Sequence, residues 1–292
     1  MPFSMTILRS AFLVCAATSL TISRASAAEP VQIVFQNSKS VPISSVALEG
    51  DRLVIKTPAN GFTAGQSFPL ASADHIYGEK PEQINPGIAL LLTGKPADAL
   101  KLLEPIVTEQ KLTAKIPGNF WLEAARAALV AYAVSGNSAK ATEIGKEISD
   151  ATPSQGIDSF VTLGKALLMP ESTSLEERET TLRDLTTDNL PADVAAYASF
   201  YRGNLLNKAK RDKVPAKALQ QTMAILEAYL TVPTLFPAGG MILNGAAESK
   251  AAEILVALGR REEAIALLTS AIRETVGTSV AADAAKRLET LK

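Results

Sequence analysis

The side chains that could do chemistry are few. The 292 residues hold one cysteine (Cys15), one histidine (His75) and one tryptophan (Trp121). A catalytic triad using His or Cys lacks its partners by count, and so does a zinc site built on several of them. Carboxylates remain. Glu176, Glu177 and Glu179, and Glu262 with Glu263, form the densest groups, and acid–base chemistry would need two carboxyls facing one cavity in different environments. Both groups open predicted helices, where sequence neighbours point apart and negative charge suits the dipole, so a solvated helix start is expected. His75, in Ala73-Asp74-His75-Ile76-Tyr77, cannot ligate a metal alone and is expected to pack or hydrogen-bond. Lys208, Lys210, Arg211 and Lys213 end a predicted helix and suit its negative pole. Tyr197, Phe200 and Tyr201 share one helical face, which reads as core, or as an aromatic groove for a peptide if it lines a superhelix. Gly239, Gly240 and Gly245 follow no predicted strand and read as a loop, not a phosphate cradle. No metal or cofactor is expected.

Composition supports a helical scaffold. Lys and Arg number 29 against 30 Asp and Glu, which gives no global attraction for nucleic acid. Hydrophobic residues make up 47% but aromatics only 5%, a mix dominated by Ala and Leu that favours closely packed helices. The start of the chain reads as an address. Arg9 precedes an uncharged apolar run, Ser10 to Ile22, and Ala25-Ser26-Ala27 supplies the small residues of a cleavage site. The run is too short to span a bilayer, so residues 1–27 are expected to be a cleaved secretory signal, with a retained anchor as the alternative. Cleavage removes Cys15, Arg9 and Arg24 and leaves 27 basic against 30 acidic residues. No later run is long enough to cross a membrane.

Two regimes follow. From Val31 to about Tyr77 short period-two runs are punctuated by Gly50-Asp51, Pro58-Ala-Asn-Gly61 and Gly65, which predicts four or five strands in a small, bent, barrel-like module over 28–80. So small a module is expected to pack on its neighbour. Over 81–292 Ala and Leu recur at helical spacing. Helices are predicted at 84–93, 96–110, 119–135, 138–150, 156–168, 174–187, 192–211, 215–231, 241–258, 261–275 and 279–290. Thr173 with Glu176 forms a capping-box pattern.

Three predicted helix pairs share one junction: Gly94-Lys-Pro-Ala-Asp-Ala99, Gly136-Asn-Ser-Ala-Lys-Ala141 and Gly259-Arg-Arg-Glu-Glu-Ala264. The glycine can end one helix in a left-handed conformation, and the alanine lets the next approach closely. Their spacing fits a repeat of about 41 residues. This junction, with Tyr132 four residues before Gly136, Gly87 in the first unit, Ala271 in the last and Pro153 at a repeat end, resembles the tetratricopeptide repeat. The longer period, the unfilled Trp position and two middle units without the glycine mark it as divergent. The strand-rich segment resembles, more loosely, the small SH3-like or Sm-like barrels that precede such repeats in exported bacterial proteins.

The resemblance implies a mainly α protein, a solenoid of about five helix pairs after a small β module, closed by a capping helix at 279–292. In that family the first helix of each pair lines a concave binding surface, which implies Glu123 and Arg126 in the second unit, Asn207 and Lys210 in the fourth, and Ser249 and Glu253 in the last. The expected function is a non-enzymatic scaffold in the periplasm or cell envelope, with other proteins or peptides as partners and no nucleic acid. A module that binds a small molecule or glycan is the alternative. Glu248-Ser249 resembles the catalytic dipeptide of lytic transglycosylases, but no Gly-Leu-Met-Gln follows, and a carboxylate hydrolase is the weakest reading.

Overall fold

A computed structural model describes residues 29–152, 158–187 and 190–291. The proposed signal at 1–27 and Pro153 lie outside the described residues. The described chain is mainly helical, with a small N-terminal β region. No helix among the described residues is long and apolar enough to cross a membrane.

Among the described residues six short strands make two antiparallel sheets. β1 (Gln32–Phe35), β2 (Ser40–Pro42) and β6 (Ala73–Tyr77) pair in the order β2-β1-β6, and β3 (Val46–Glu49), β4 (Arg52–Ile55) and β5 (Ser67–Pro69) in sequence order. The period-two run from Val41 to Leu48 is divided between β2 and β3. Pro42, with φ −59°, lacks an N–H and turns the chain into a single 3-10 turn at 43–45; Pro69, with φ −57°, does the same before 70–72. These corners divide the strands between two sheets, and the described residues form no closed barrel. Ile33, Phe35, Leu53, Ile55 and Phe62 fill the space between the sheets, with Phe35, Phe62 and Phe68 5.1–5.5 Å apart by ring centroid. The module borrows part of its core. Ile116, from the loop before the third helix, is buried among these strands, and the Ile76 N–H donates to the Pro117 carbonyl at 2.9 Å.

Eleven α-helices follow among the described residues: α1 (Ile84–Leu92), α2 (Pro96–Glu109), α3 (Trp121–Val134), α4 (Ser138–Ala151), α5 (Ser159–Leu167), α6 (Leu175–Asp184), α7 (Ala192–Lys208), α8 (Pro215–Leu235), α9 (Met241–Ala257), α10 (Arg261–Glu274) and α11 (Ser279–Glu289). They match the eleven predicted segments within a few residues, α8 running on through Pro233. The capping box is shifted by one. Thr173 spends its N–H on the Pro170 carbonyl, and Ser174 caps α6 by accepting from the Glu177 N–H at 3.1 Å. Gly245 is not in a loop but inside α9.

At the three junctions Gly94, Gly136 and Gly259 have φ of +81°, +73° and +76°, the left-handed stop expected of them, and Ala99, Ala141 and Ala264 are buried. Within hairpins the close approach is made by other glycines. A Cβ on Gly87 would lie 2.8 Å from Leu103, on Gly203 2.6 Å from the Tyr229 ring, and on Gly245 2.5 Å from Thr275.

Consecutive helices pack on one another, and so do the odd-numbered helices: α1 on α3, α3 on α5, α5 on α7, α7 on α9. The circuit closes, because α9 and α11 pack on α1, where the Thr93 and Ser279 hydroxyls lie 3.2 Å apart. Burial follows the same division. Ten of 14 residues in α3 and 11 of 17 in α9 are buried, against 3 of 14 in α2 and in α10. Helices buried on nearly every side need small residues all round, which is where the alanine excess goes.

Candidate functional site

Helices α1, α3, α7 and α9 are buried along most of their length, and with α5 between α3 and α7 they are open at one end. Their first turns surround a cavity of about 530 Å³, lined by Asn85 of α1, Glu123 and Arg126 of α3, Phe160 of α5, Asp193 and Tyr197 of α7, and Ile242 of α9. Lys80, in the linker from the β module, reaches the same space.

Its charges are held in pairs. Lys80 Nζ lies 2.5 Å from Glu123 Oε1. Arg126 Nη2 donates to Asp158 Oδ2 at 2.6 Å, Nη1 lies 3.5 Å from Asp193 Oδ2, and the guanidinium carbon sits 4.9 Å from the centre of the Phe160 ring. The Asp158 side chain is 1% exposed, and its second oxygen caps α5 by accepting from the Phe160 N–H at 2.9 Å. Phe160 meets Tyr197 edge to face, and Tyr197 lies 16° from parallel with Tyr201. Burial, with Glu123 and Asp193 nearby, holds the Tyr197 hydroxyl well above its ordinary range, so it stays protonated.

The six residues implied by the repeat resemblance fall in three places. Glu123 and Arg126 share the cavity. Asn207 is near the far end of α7, where it accepts from Arg211 at 3.1 Å; Arg211 also donates to the Leu206 and Ala209 carbonyls and so closes the helix, while Lys210 is exposed. Ser249 and Glu253 are at the seam between the ends of the array. Ser249 is buried beside a cleft of only about 60 Å³, and Glu253 pairs with Arg287 at 2.6 Å. His75 is exposed on β6 and bonded to Asp74 at 2.8 Å. The aromatic face is core: Phe200 is fully buried, and Tyr197 alone of the three reaches the cavity. Lys80, Asp158, Phe160 and Asp193 were not legible as site residues. The available signal was register, since Phe160 and Asp193 are second residues of their helices and Glu123 the third.

The carboxylate groups are dispersed. Glu179 pairs with Arg202 at 2.9 Å, Glu262 with Arg261 and Glu263 with Arg260. Glu248 is buried between α9 and α10. It accepts from Ser270 at 3.3 Å through Oε1, and its Oε2 has no partner among the described residues. Burial, with Glu274 beside it, pushes this carboxyl above the usual carboxylate range. Its folded value exceeds its unfolded one, so its stabilising contribution is complete below the unfolded value and is lost as pH rises through the folded one. Glu248→Gln is therefore expected to raise the melting temperature at pH 7 and to leave it unchanged near pH 3. Calorimetry at the two pH values checks this; an equal gain at both would contradict it. Among the described residues no group of three or more His, Cys, Asp or Glu is arranged to hold a metal.

These features define a class in structural terms: a closed circuit of five pairs of consecutive helices, with α11 packed on both of its ends and a small β region docked on the loop between α2 and α3. Comparison with known protein families, curated proteins and solved structures finds no match.

Proposed function

We propose that the protein is a non-enzymatic binding protein of the periplasm or cell envelope that holds an extended segment of a partner protein in the cavity between the odd helices. The observation that carries this reading is the convergence of five helix starts on one space lined by paired charges, aromatic rings and apolar side chains. Pockets of about 300–1,000 Å³ with a few fixed polar groups in a mostly apolar wall are typical ligand sites, and about 530 Å³ lies inside that range. Among the described residues the lining contains no Ser, Thr, Cys or His to act as nucleophile or base, and its two carboxylates each face a cation. That favours binding over turnover.

We read the five hairpins as a divergent tetratricopeptide-like solenoid whose ends meet, on the strength of the glycine–alanine junctions, and the β module as a relative of the small SH3-like or Sm-like barrels. Meeting ends leave little concave surface exposed, which favours a short segment over a long wrapped partner. The cavity volume also favours a second reading, a small polar molecule or glycan in the same space.

A pull-down from envelope extract tests the proposal. Lys80→Ala with Glu123→Ala removes a partly exposed pair worth about 0–1 kcal/mol, so the fold is retained. This double variant is expected to lose partners that the wild type and Lys210→Glu both recover. Equal recovery by all three would exclude the cavity as the contact site.

A further inference from the structure

The turn from α7 to α8 and the first half of α8 hold a patch that the cavity does not use. From Asn204 to Ala224 no residue is buried, and the first buried side chain of α8 is Ile225. Residues 208–217 carry five cations, Lys208, Lys210, Arg211, Lys213 and Lys217, and one carboxylate, Asp212, in a chain whose net charge is −1. Arg211 is folded back onto the Leu206 and Ala209 carbonyls and onto Asn207. Asp212 is turned onto its own loop, where it accepts from the Val214 N–H at 2.8 Å. Four lysines remain. Lys208, Lys210, Lys213 and Lys217 are exposed, and among the described residues no carboxylate forms an ion pair with any of them.

Helix chemistry accounts for only one of these lysines. Lys208 ends α7, where a cation suits the negative pole, but Lys217 stands in the first turn of α8, where the positive pole opposes it and no acidic residue offsets it. The N-cap of α8 is Val214, which has no side-chain acceptor and is 49% exposed; Ser, Thr, Asn or Asp would hold that helix start better. Leu219 and Met223, four residues apart and so on one face, are 53% and 44% exposed. Stability of the fold selects none of Lys217, Val214, Leu219 and Met223 at these places. Side chains that break a local rule with no local gain are expected where a surface makes another contact. Glu227, the only carboxylate of α8, lies one turn beyond Met223 and marks the edge of the patch.

We propose that this segment docks on the surface of an anionic lipid bilayer, with Lys208, Lys210, Lys213 and Lys217 among the headgroups and Val214, Leu219 and Met223 at the boundary with the acyl chains. Both halves of the patch point to lipid. Clustered lysines are drawn to a surface of diffuse negative charge, and a flexible ammonium needs no fixed partner geometry, whereas a carboxylate on a folded protein is matched best by the planar fork of arginine. Exposed aliphatic side chains among the cations gain nothing from a purely polar polyanion, but they are covered at the headgroup boundary. Because no residue from 204 to 224 is buried, the contact uncovers no core. None of the residues lining the cavity belongs to this segment, so the proposal stands whatever the cavity holds.

The test floats the purified protein with increasing amounts of vesicles of equimolar phosphatidylglycerol and phosphatidylcholine, and with vesicles of phosphatidylcholine alone. Wild type is expected to rise with the anionic vesicles only. Raising the salt from about 0.1 M to about 1 M, which shortens the Debye length from about 10 Å to about 3 Å, should release it. Lys210→Glu with Lys213→Glu and Lys217→Glu should weaken binding at least about a hundredfold, each lysine being worth about fivefold near such a surface. Leu219→Ser with Met223→Ser should weaken it about tenfold, through the loss of two aliphatic side chains from the boundary. All five positions are exposed, so the variants should melt as the wild type does, and any contribution of residues 1–27 is common to all of them. Equal binding to the two kinds of vesicle, or undiminished binding by the triple lysine variant, would overturn the proposal. Undiminished binding by the double serine variant would overturn the placing of Leu219 and Met223 at the boundary. Failure to rise with either vesicle, with an acidic protein of envelope extract held by the wild type and lost by the triple variant, would overturn it in favour of a protein partner.

Discussion

Arg126→Met is expected to cost about 3–5 kcal/mol of stability, the usual loss when one member of a buried ion pair is removed. Asp158 is the reason. Its side chain is 1% exposed, so the variant would leave a carboxylate out of water with only the Phe160 N–H to satisfy it. Packing is lost as well, because the guanidinium lies over the Phe160 ring that in turn meets Tyr197. A second substitution separates charge from packing. Arg126→Met with Asp158→Asn removes both charges, and the asparagine carbonyl can still accept from the Phe160 N–H and cap α5. The double variant should recover most of the loss in urea unfolding. If it is as unstable as Arg126→Met alone, the cost lies in side-chain packing and not in an unpaired carboxylate.

Arg126 was legible as a site residue and Asp158 was not, and the difference is physical. Arg126 belongs to a helix whose register is fixed by the Gly136 junction ten residues later, so its face could be counted from sequence. Asp158 caps the start of α5, and its partner is 32 residues away. Local propensity carries no information about that pairing. The eleven helices were readable because each ends in residues that stop helices for local reasons, such as Gly94, Gly136 and Gly259 in the left-handed region or Pro215 in a first turn. The closing of the circuit was not. It depends on α1 meeting α9 and α11, helices from nearly opposite ends of the chain whose contact no junction motif encodes. Nor did period-two patterning show how the strands divide. Pro42 and Pro69 sit where a strand could end or bend, and only the pairing of β1 with β6 across more than 40 residues separates the sheets.

The site follows from that same closing. A wide array would expose the inner faces of its odd helices, and residues such as Glu123, Asn207 and Ser249 would share one surface. With the ends in contact, those faces are filled by alanines, and the polar residues meet only where the helices begin. Helix starts bring backbone N–H groups that helical bonding leaves free, so the one open end is also the end richest in donors. Fold closure and the chemistry of the cavity are therefore linked through the small side chains of α3, α7 and α9.

Trp121→Ala should lower stability by about 3–5 kcal/mol, as for other fully buried large side chains, and should loosen the β module as well as the helices. Trp121 is completely buried at the start of α3, and its indole N–H donates to the Val107 carbonyl of α2 at 3.0 Å. Its neighbour Phe120 packs on both hydrophobic cores, and the preceding loop carries Ile116 into the strands. A hole at Trp121 therefore sits where the two cores are joined. Trp121→Phe keeps most of the volume and loses the hydrogen bond, so its cost should be about 1–2 kcal/mol. Far-ultraviolet circular dichroism during urea unfolding measures both variants, since the only tryptophan is the one removed. In the wild type its emission should be blue-shifted and should move to the red in the same transition that circular dichroism reports. Hydrogen exchange then separates the two effects. Amides of β1 and β6 should exchange faster in Trp121→Ala under native conditions, and unchanged protection there would mean that the strands hold their structure without the helical core.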